Sequence, residues 1–224
     1  MIDLPRRLAA EALGTGLLVA AVIGSGIMAD ALTTDDAVAL IANTLATGTI
    51  LAVLITIFGP ISGAHLNPAV SLVFALRRDL PMAEAGLFMA VQIAGGIAGA
   101  LLAHAMFGLP LIELSQKVRT GPSQWLAETL AAFGLVAVIL GGIKVQRSAV
   151  PWLVGLYITA AYWFTASTSF ANPAVTIGRA ITDTFSGIRP VDVPAFITAQ
   201  FVGALIAMAL AGWLWADTPQ RENA

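Results

Sequence analysis

Two asparagines, Asn67 and Asn172, each open the same four-residue string, Asn-Pro-Ala-Val, in apolar and glycine-rich surroundings. Asparagine is a favoured helix N-cap and proline is favoured at the first helical position, so Asn67-Pro68-Ala69 and Asn172-Pro173-Ala174 each predict a helix start. A capping asparagine turns its side-chain oxygen onto its own helix's N–H groups and leaves its NH₂ free to donate. The chemistry on offer is recognition rather than reaction. Two such donors, each at a helix N-terminus worth roughly half a positive charge, suit a neutral hydrogen-bonding solute and oppose cations and protons.

The other reactive residue types are few. His65 lies two residues before the first string, with no second histidine or carboxylate beside it, and reads as a packed or carbonyl-presenting loop residue rather than a metal ligand. His104 reads as interfacial. Glu11 and Glu128 stand inside apolar runs, where carboxylates are functional candidates by default. Glu11 could also pair with Arg7 one turn back, and Glu128 sits near a helix N-terminus, where negative charge is favoured. The chain has no cysteine, so neither a disulfide framework nor a thiolate metal site is expected. No nucleophile–base set or metal-ligand spacing points to an enzyme, and no cofactor is called for. The net charge of −2 carries no basic patch for nucleic acid.

The elements that must position these residues belong to a membrane protein. Of 224 residues, 58% are hydrophobic and 11% charged, and the mean hydropathy is +0.87, too apolar for a soluble domain. Spanning-length apolar runs fall at 8–28, 37–59, 82–105, 123–144, 149–168 and 193–216. The first is too long for a signal-peptide core and reads as a retained span. Between spans two and three, and again between five and six, lie 68–78 and 173–183, each able to run roughly 16 Å, about half a hydrocarbon core. Half-helices that start at membrane depth must be buried or line a watery cavity, because their unpaired N–H groups cannot face lipid.

The chain reads as one membrane domain in two halves, 1–106 and 123–224, joined by an extracytoplasmic loop at 107–122. Each half gives an early glutamate, then Asn-Pro-Ala, then a Gln-x-x-Gly (Gln92 to Gly95, Gln200 to Gly203). Three spans per half is odd, so the second copy is inverted, a plan that brings broken helices to the midplane. With the N-terminus inside, Arg6, Arg7, Arg77, Arg78, Lys144, Arg147 and Arg221 are cytoplasmic, against Lys117, Arg119, Arg179 and Arg189 outside, which obeys the positive-inside bias. Trp125, Trp152, Trp213 and Trp215 fall near span ends as interfacial anchors, and Gly14, Gly24, Gly95, Gly96, Gly99 and Gly203 permit close helix packing. An ion-coupled transporter would need ionisable groups near the midplane, and apart from the two glutamates none is seen.

The run Ser62-Gly63-Ala64-His65-Leu66-Asn67-Pro68-Ala69-Val70, paired with the second Asn-Pro-Ala, resembles the major intrinsic protein family of aquaporins and aquaglyceroporins across almost the whole chain. The resemblance implies an all-α fold of six tilted membrane helices plus two re-entrant half-helices, and a homotetramer with one pore per subunit. It implies that Gly63, Ala64 and His65 line the pore and that Glu11 and Glu128 hold the half-helix loops by accepting backbone hydrogen bonds. Most members carry Arg directly after the second Asn-Pro-Ala; this chain has Val175. The rest of the outer constriction, carried over by spacing, is Thr47, Ala160 and Ser169. None of the four is large or charged, so a wide filter is expected unless a neighbour such as Phe164, Phe170 or Phe201 swings in. Arg179, one turn beyond Val175, is the candidate substitute cation; the alternative is a vestibule arginine paired with Asp183. Val at the Arg position resembles a bacterial subgroup associated with arsenic-resistance operons. The expectation is a passive inner-membrane channel for water, glycerol, metalloid acids and organoarsenicals, with both termini cytoplasmic and lipid as its surroundings. An ordinary water or glycerol facilitator is the rival reading.

Overall fold

The computed structural model describes residues 2–216, so Arg221 lies outside the described residues. The helices, in order, are α1 (Leu4–Leu32), α2 (Asp36–Ser62), α3 (Pro68–Leu76), α4 (Met82–Phe107), α5 (Pro122–Val145), α6 (Val150–Phe164), α7 (Pro173–Arg179) and α8 (Val193–Leu214). Local signals explain the starts. Asp3 and Asp35 accept from the first-turn N–H groups of α1 and α2, while α5, α6 and α8 each place a proline in the first turn.

By length and composition α1, α2, α4, α5 and α8 are long and apolar enough to cross a membrane. The fifth expected span, 149–168, is shorter in the structure. α6 has 15 residues, a rise of about 22 Å against the roughly 30 Å of hydrocarbon, because the chain turns extended at Thr165 to lead into the second half-helix. That half-helix ends at Arg179, four residues before the expected 183.

α1, α4 and α5, α8 form two tightly crossed pairs. At Gly95 and Gly99 a Cβ would stand 2.3 Å and 2.1 Å from the backbone oxygens of Ala12 and Gly16, and at Gly203 it would stand 2.0 Å from that of Thr129. Only glycine allows these approaches, and membrane helices associate through such contacts. Gly95 and Gly203 each close on the residue directly after a buried glutamate, which sets the glutamates' surroundings. Large apolar side chains such as Leu13, Leu126, Leu156 and Trp213 point outward around the bundle.

Candidate pore and selectivity filter

The four residues before each asparagine bend the chain into the bundle through left-handed backbone. Ala64 and Leu66 have φ of 48° and 49°; Ser169 and Ala171, at the same offsets from Asn172, both have φ of 50°. Non-glycine residues there cost about 1–3 kcal/mol each and need outside support. Glu11 supplies it in the first half, accepting from the N–H groups of His65 (3.0 Å) and Leu66 (2.7 Å) and from the Ser62 hydroxyl (2.6 Å). Glu128 does so in the second, accepting from Phe170 and Ala171, both at 2.9 Å. The glutamine of each Gln-x-x-Gly completes the set. Gln92 Nε2 donates to Glu11 (2.8 Å) and to Ser71 on α3 (2.9 Å), and Gln200 Nε2 donates to Glu128 (2.7 Å) and to Thr176 on α7 (2.8 Å). Arg7 does not pair with Glu11; it reaches Glu84 at 2.6 Å, one helix away.

The asparagines cap as their types require. Asn67 Oδ1 accepts from Ala69 N at 2.8 Å, and Asn172 Oδ1 accepts from Ala174 N at 2.9 Å and Val175 N at 3.4 Å. Their amide nitrogens are not wholly free. Asn67 Nδ2 donates to the Ala171 carbonyl and Asn172 Nδ2 to the Leu66 carbonyl, each at 2.8 Å. The half-helices are thus tied crosswise, and each NH₂ keeps one hydrogen for the lumen.

A cavity of about 530 Å³ extends inside the bundle as a lumen that reaches Arg179. At one mouth it is lined by Pro60, Arg147, Ser148 and Trp152; at its centre by Asn67, Asn172, Val70 and the Gly63-Ala64-His65 segment; at the other end by Thr47, Tyr162, Ser169, Phe170, Val175 and Arg179. No carboxylate lines it among the described residues. The His65 ring packs on Phe74 (4.5 Å between centroids), with Nδ1 3.2 Å from the Ser71 hydroxyl.

The end lined by Arg179 departs from what spacing gave. Thr47, Ser169 and Val175 line it, but Ala160 does not: it is exposed on the outward face of α6 with Leu156, Trp163 and Phe164. Two residues along a helix turn the side chain by about 200°, so the lumen instead receives Tyr162, 3% exposed, whose hydroxyl lies 3.2 Å from Thr47 Oγ1. Sequence reasoning missed this aromatic, although a tyrosine near the end of an otherwise apolar span is a signal for a polar partner. The Ser169 hydroxyl is buried and has no hydrogen-bond partner. Of the three phenylalanines named as possible intruders, Phe170 lines the lumen, Phe201 is half-buried against the core without lining it, and Phe164 is 54% exposed.

Arg179 is 2% exposed. Its Nε donates to the Ser186 carbonyl, its guanidinium lies 3.4 Å over the centroid of Phe170, and Nη1 has no partner. It does not pair with Asp183, whose carboxylate accepts from Gln116 N at 2.9 Å. Beyond Arg179 opens a second cavity of about 280 Å³, lined by Asp36, Leu40, Asn43, Lys117, Arg119, Thr168, Arg179 and Phe185. Arg179 therefore sits where lumen and vestibule meet. The vestibule wall is built by segment 108–121, which is more than a connector. Glu113 N and Ser115 N donate to the carbonyls of Ile181 and Ala180, and Arg119 binds the carbonyls of Gly187 (2.8 Å) and Ser167 (3.2 Å). His104 helps to anchor it. In the last turn of α4, it is fully buried, with Nε2 2.7 Å from Thr182 Oγ1 and Nδ1 on the Pro110 carbonyl. Burial, with the charges of Arg119 and Arg179 nearby, holds the Lys117 ammonium below the usual lysine range.

The profile of the major intrinsic protein family matches residues 1–162 and 124–223. The chain is 68% identical over 212 residues to aquaglyceroporin AqpS of Rhizobium meliloti, covering 95% of this chain and 91% of that protein. It is 31% identical to aquaporin NIP6-1 of Arabidopsis thaliana, over 92% of this chain and 67% of the relative. In fold it is similar to the X-ray structure of the aquaglyceroporin from Plasmodium falciparum, with a TM-score of 0.72, 18% identity, and 93% and 95% of the two chains covered. Paired capping asparagines, two glutamate-braced re-entrant loops and a lumen between them thus coincide with a match along nearly the whole sequence: the chain belongs to the major intrinsic protein family.

Proposed function

We propose that this protein is a passive transmembrane channel of aquaglyceroporin type for small uncharged solutes, metalloid acids and organoarsenicals among them, with glycerol and water. The observation that carries the reading is the lumen itself. It joins one mouth to the level of Arg179 as a single cavity, is free of carboxylates among the described residues, and offers neutral partners (Asn67, Asn172, Thr47, Tyr162, Ser169) against apolar walls. An ion would lose its hydration there without replacement, whereas a neutral hydrogen-bonding solute exchanges water for these groups. Val175 in the lumen removes the side chain that would most narrow this end. Arg179 is the filter cation in its place, one turn further out, opposing cations at the boundary of lumen and vestibule. The name of the 68% identical rhizobial relative, an aquaglyceroporin, supports the channel type.

The protein resides in the bacterial inner membrane with both termini cytoplasmic, as the lysine and arginine distribution favours. It assembles as a homotetramer, each chain enclosing its own pore. Stopped-flow light scattering of proteoliposomes with water, glycerol and larger polyols, followed by uptake of arsenous acid and methylated arsenicals, tests the reading. Entry of the bulky solutes, lost in Val175→Arg, is expected. One observation favours the narrower rival, an ordinary water or glycerol facilitator: the Tyr162 hydroxyl bridging to Thr47 across the filter. Water and glycerol passing while every larger solute is excluded would select it.

A further inference from the structure

We infer that the vestibule between segment 108–121 and α7 is a binding site for a small oxyanion of the carboxylate or phosphonate class, held by Arg179, Arg119 and Lys117. All three cations line one cavity of about 280 Å³, enough for a molecule of a few heavy atoms. The single carboxylate lining it is that of Asp36, exposed in the first turn of α2. None of the three cations has an ion-pair partner among the described residues.

Each of them is fixed in place by neutral groups instead. Lys117 Nζ donates to the Phe185 carbonyl at 2.8 Å and stands 4.9 Å over that residue's ring. Arg119 is held by the carbonyls of Gly187 and Ser167. Arg119 and Arg179 both lie over the ring of Phe170, at 5.0 Å and 3.4 Å from its centroid. Two guanidiniums on one ring repel each other, and a ring face offsets only part of that. Arg179 is buried yet leaves Nη1 without a partner. A buried charged donor with no acceptor costs free energy unless a ligand supplies one, and an oxyanion is the ligand that answers both the orphan donor and the mutual repulsion.

The inference does not depend on which solute the lumen passes. It adds a consequence, though. The walls inward of Arg179 are largely apolar and carry no carboxylate or lysine, so a bound oxyanion moves inward only as its neutral acid, after taking a proton from bulk water. The vestibule then collects the conjugate base of a weak oxyacid at the mouth of a pore for its uncharged form.

The test is direct binding rather than flux, so it is decided apart from channel selectivity. Saturation-transfer NMR on the methyl groups of acetate and methylphosphonate is recorded with the full chain in nanodiscs, and titrated in parallel by calorimetry. Saturable binding is expected that glycerol does not displace and that weakens several-fold between low and high salt. Lys117→Gln, which leaves the backbone bonds of segment 108–121 in place, should weaken it at least three-fold, Arg179→Gln should abolish it, and Arg6→Gln, on the opposite face, should leave it unchanged. Absence of saturable binding in the wild-type chain, or equal affinity in wild type and Lys117→Gln, would overturn the assignment.

Discussion

Replacing Glu128 by glutamine tests the central claim that a buried carboxylate holds the second re-entrant loop in its pore-forming shape. The two side chains have nearly the same size, so the change is one of hydrogen-bond polarity. Glu128 accepts from Phe170 N and Ala171 N, one per oxygen, and from Gln200 Nε2. A glutamine has one oxygen, so either amide orientation sets an NH₂ against one of the two backbone N–H groups. At least one charge-assisted bond is lost, about 1.5–3 kcal/mol, and one buried donor is left unsatisfied, about 1–3 kcal/mol more. The loop being released carries positive φ at Thr168, Ser169 and Ala171, so it has strained backbone to relax once support weakens. A loss of about 3 kcal/mol shifts the equilibrium between the pore-forming and relaxed loop by roughly 100-fold. With the pore-forming loop favoured about ten-fold in the wild type, glycerol flux per reconstituted protein should fall about ten-fold in Glu128→Gln, with helical circular dichroism and elution volume unchanged, since α5 itself loses no backbone contact. Flux indistinguishable from wild type in a correctly folded variant would refute the reasoning, because the carboxylate would then not be what shapes the loop.

Other perturbations follow from the same geometry. Tyr162→Ala removes the aromatic wall opposite Thr47, and in the polyol series the size cut-off should rise by one or two carbons; an unchanged cut-off would place the constriction elsewhere. Gly203→Ala forces a Cβ to within 2.0 Å of the Thr129 carbonyl and should cost about 1–3 kcal/mol as the helices part. Gly86→Ala meets nothing within 4 Å and should gain up to about 1 kcal/mol from helix propensity; paired thermal melts separate the two. Lys117 faces Arg119 and Arg179, which with burial lower its pKa, and Asp36 and Asp30, which raise it. The net lowering means that the ammonium loses its proton at a lower pH than a free lysine. Oxyanion binding should accordingly decline on the alkaline side before 10.5, the ordinary lysine value, and Lys117→Arg should hold it to higher pH.

The centre of the pore was legible in the sequence because its parts are local. An Asn-Pro start carries its own capping chemistry, and a glutamate inside an apolar run has to be held by something. What placed Ala160 wrongly was counting back from Asn172 across a junction of unknown length. α6 stops at Phe164 and residues 165–171 run as loop, so the phase of the helix was lost, and a two-residue error exchanges lumen for lipid. The vestibule was invisible for another reason. Segment 108–121 has no hydrophobic period, and it is ordered by carbonyls and N–H groups of 180–189, which no pattern of residue types announces. The partners of His104 are equally silent in the sequence: Pro110 and Thr182 come from the two segments that meet only in the folded protein.

The crosswise bonds from Asn67 to the Ala171 carbonyl and from Asn172 to the Leu66 carbonyl bear on how the chain is made. A ribosome delivers the first asparagine about a hundred residues before the second, and until then the Leu66 carbonyl lacks the Asn172 donor, although Glu11 already braces that loop. Neither half can set its own aperture. The aperture is therefore a joint product of the two loops, complete only when the last re-entrant turn is in place and the two crosswise bonds have closed.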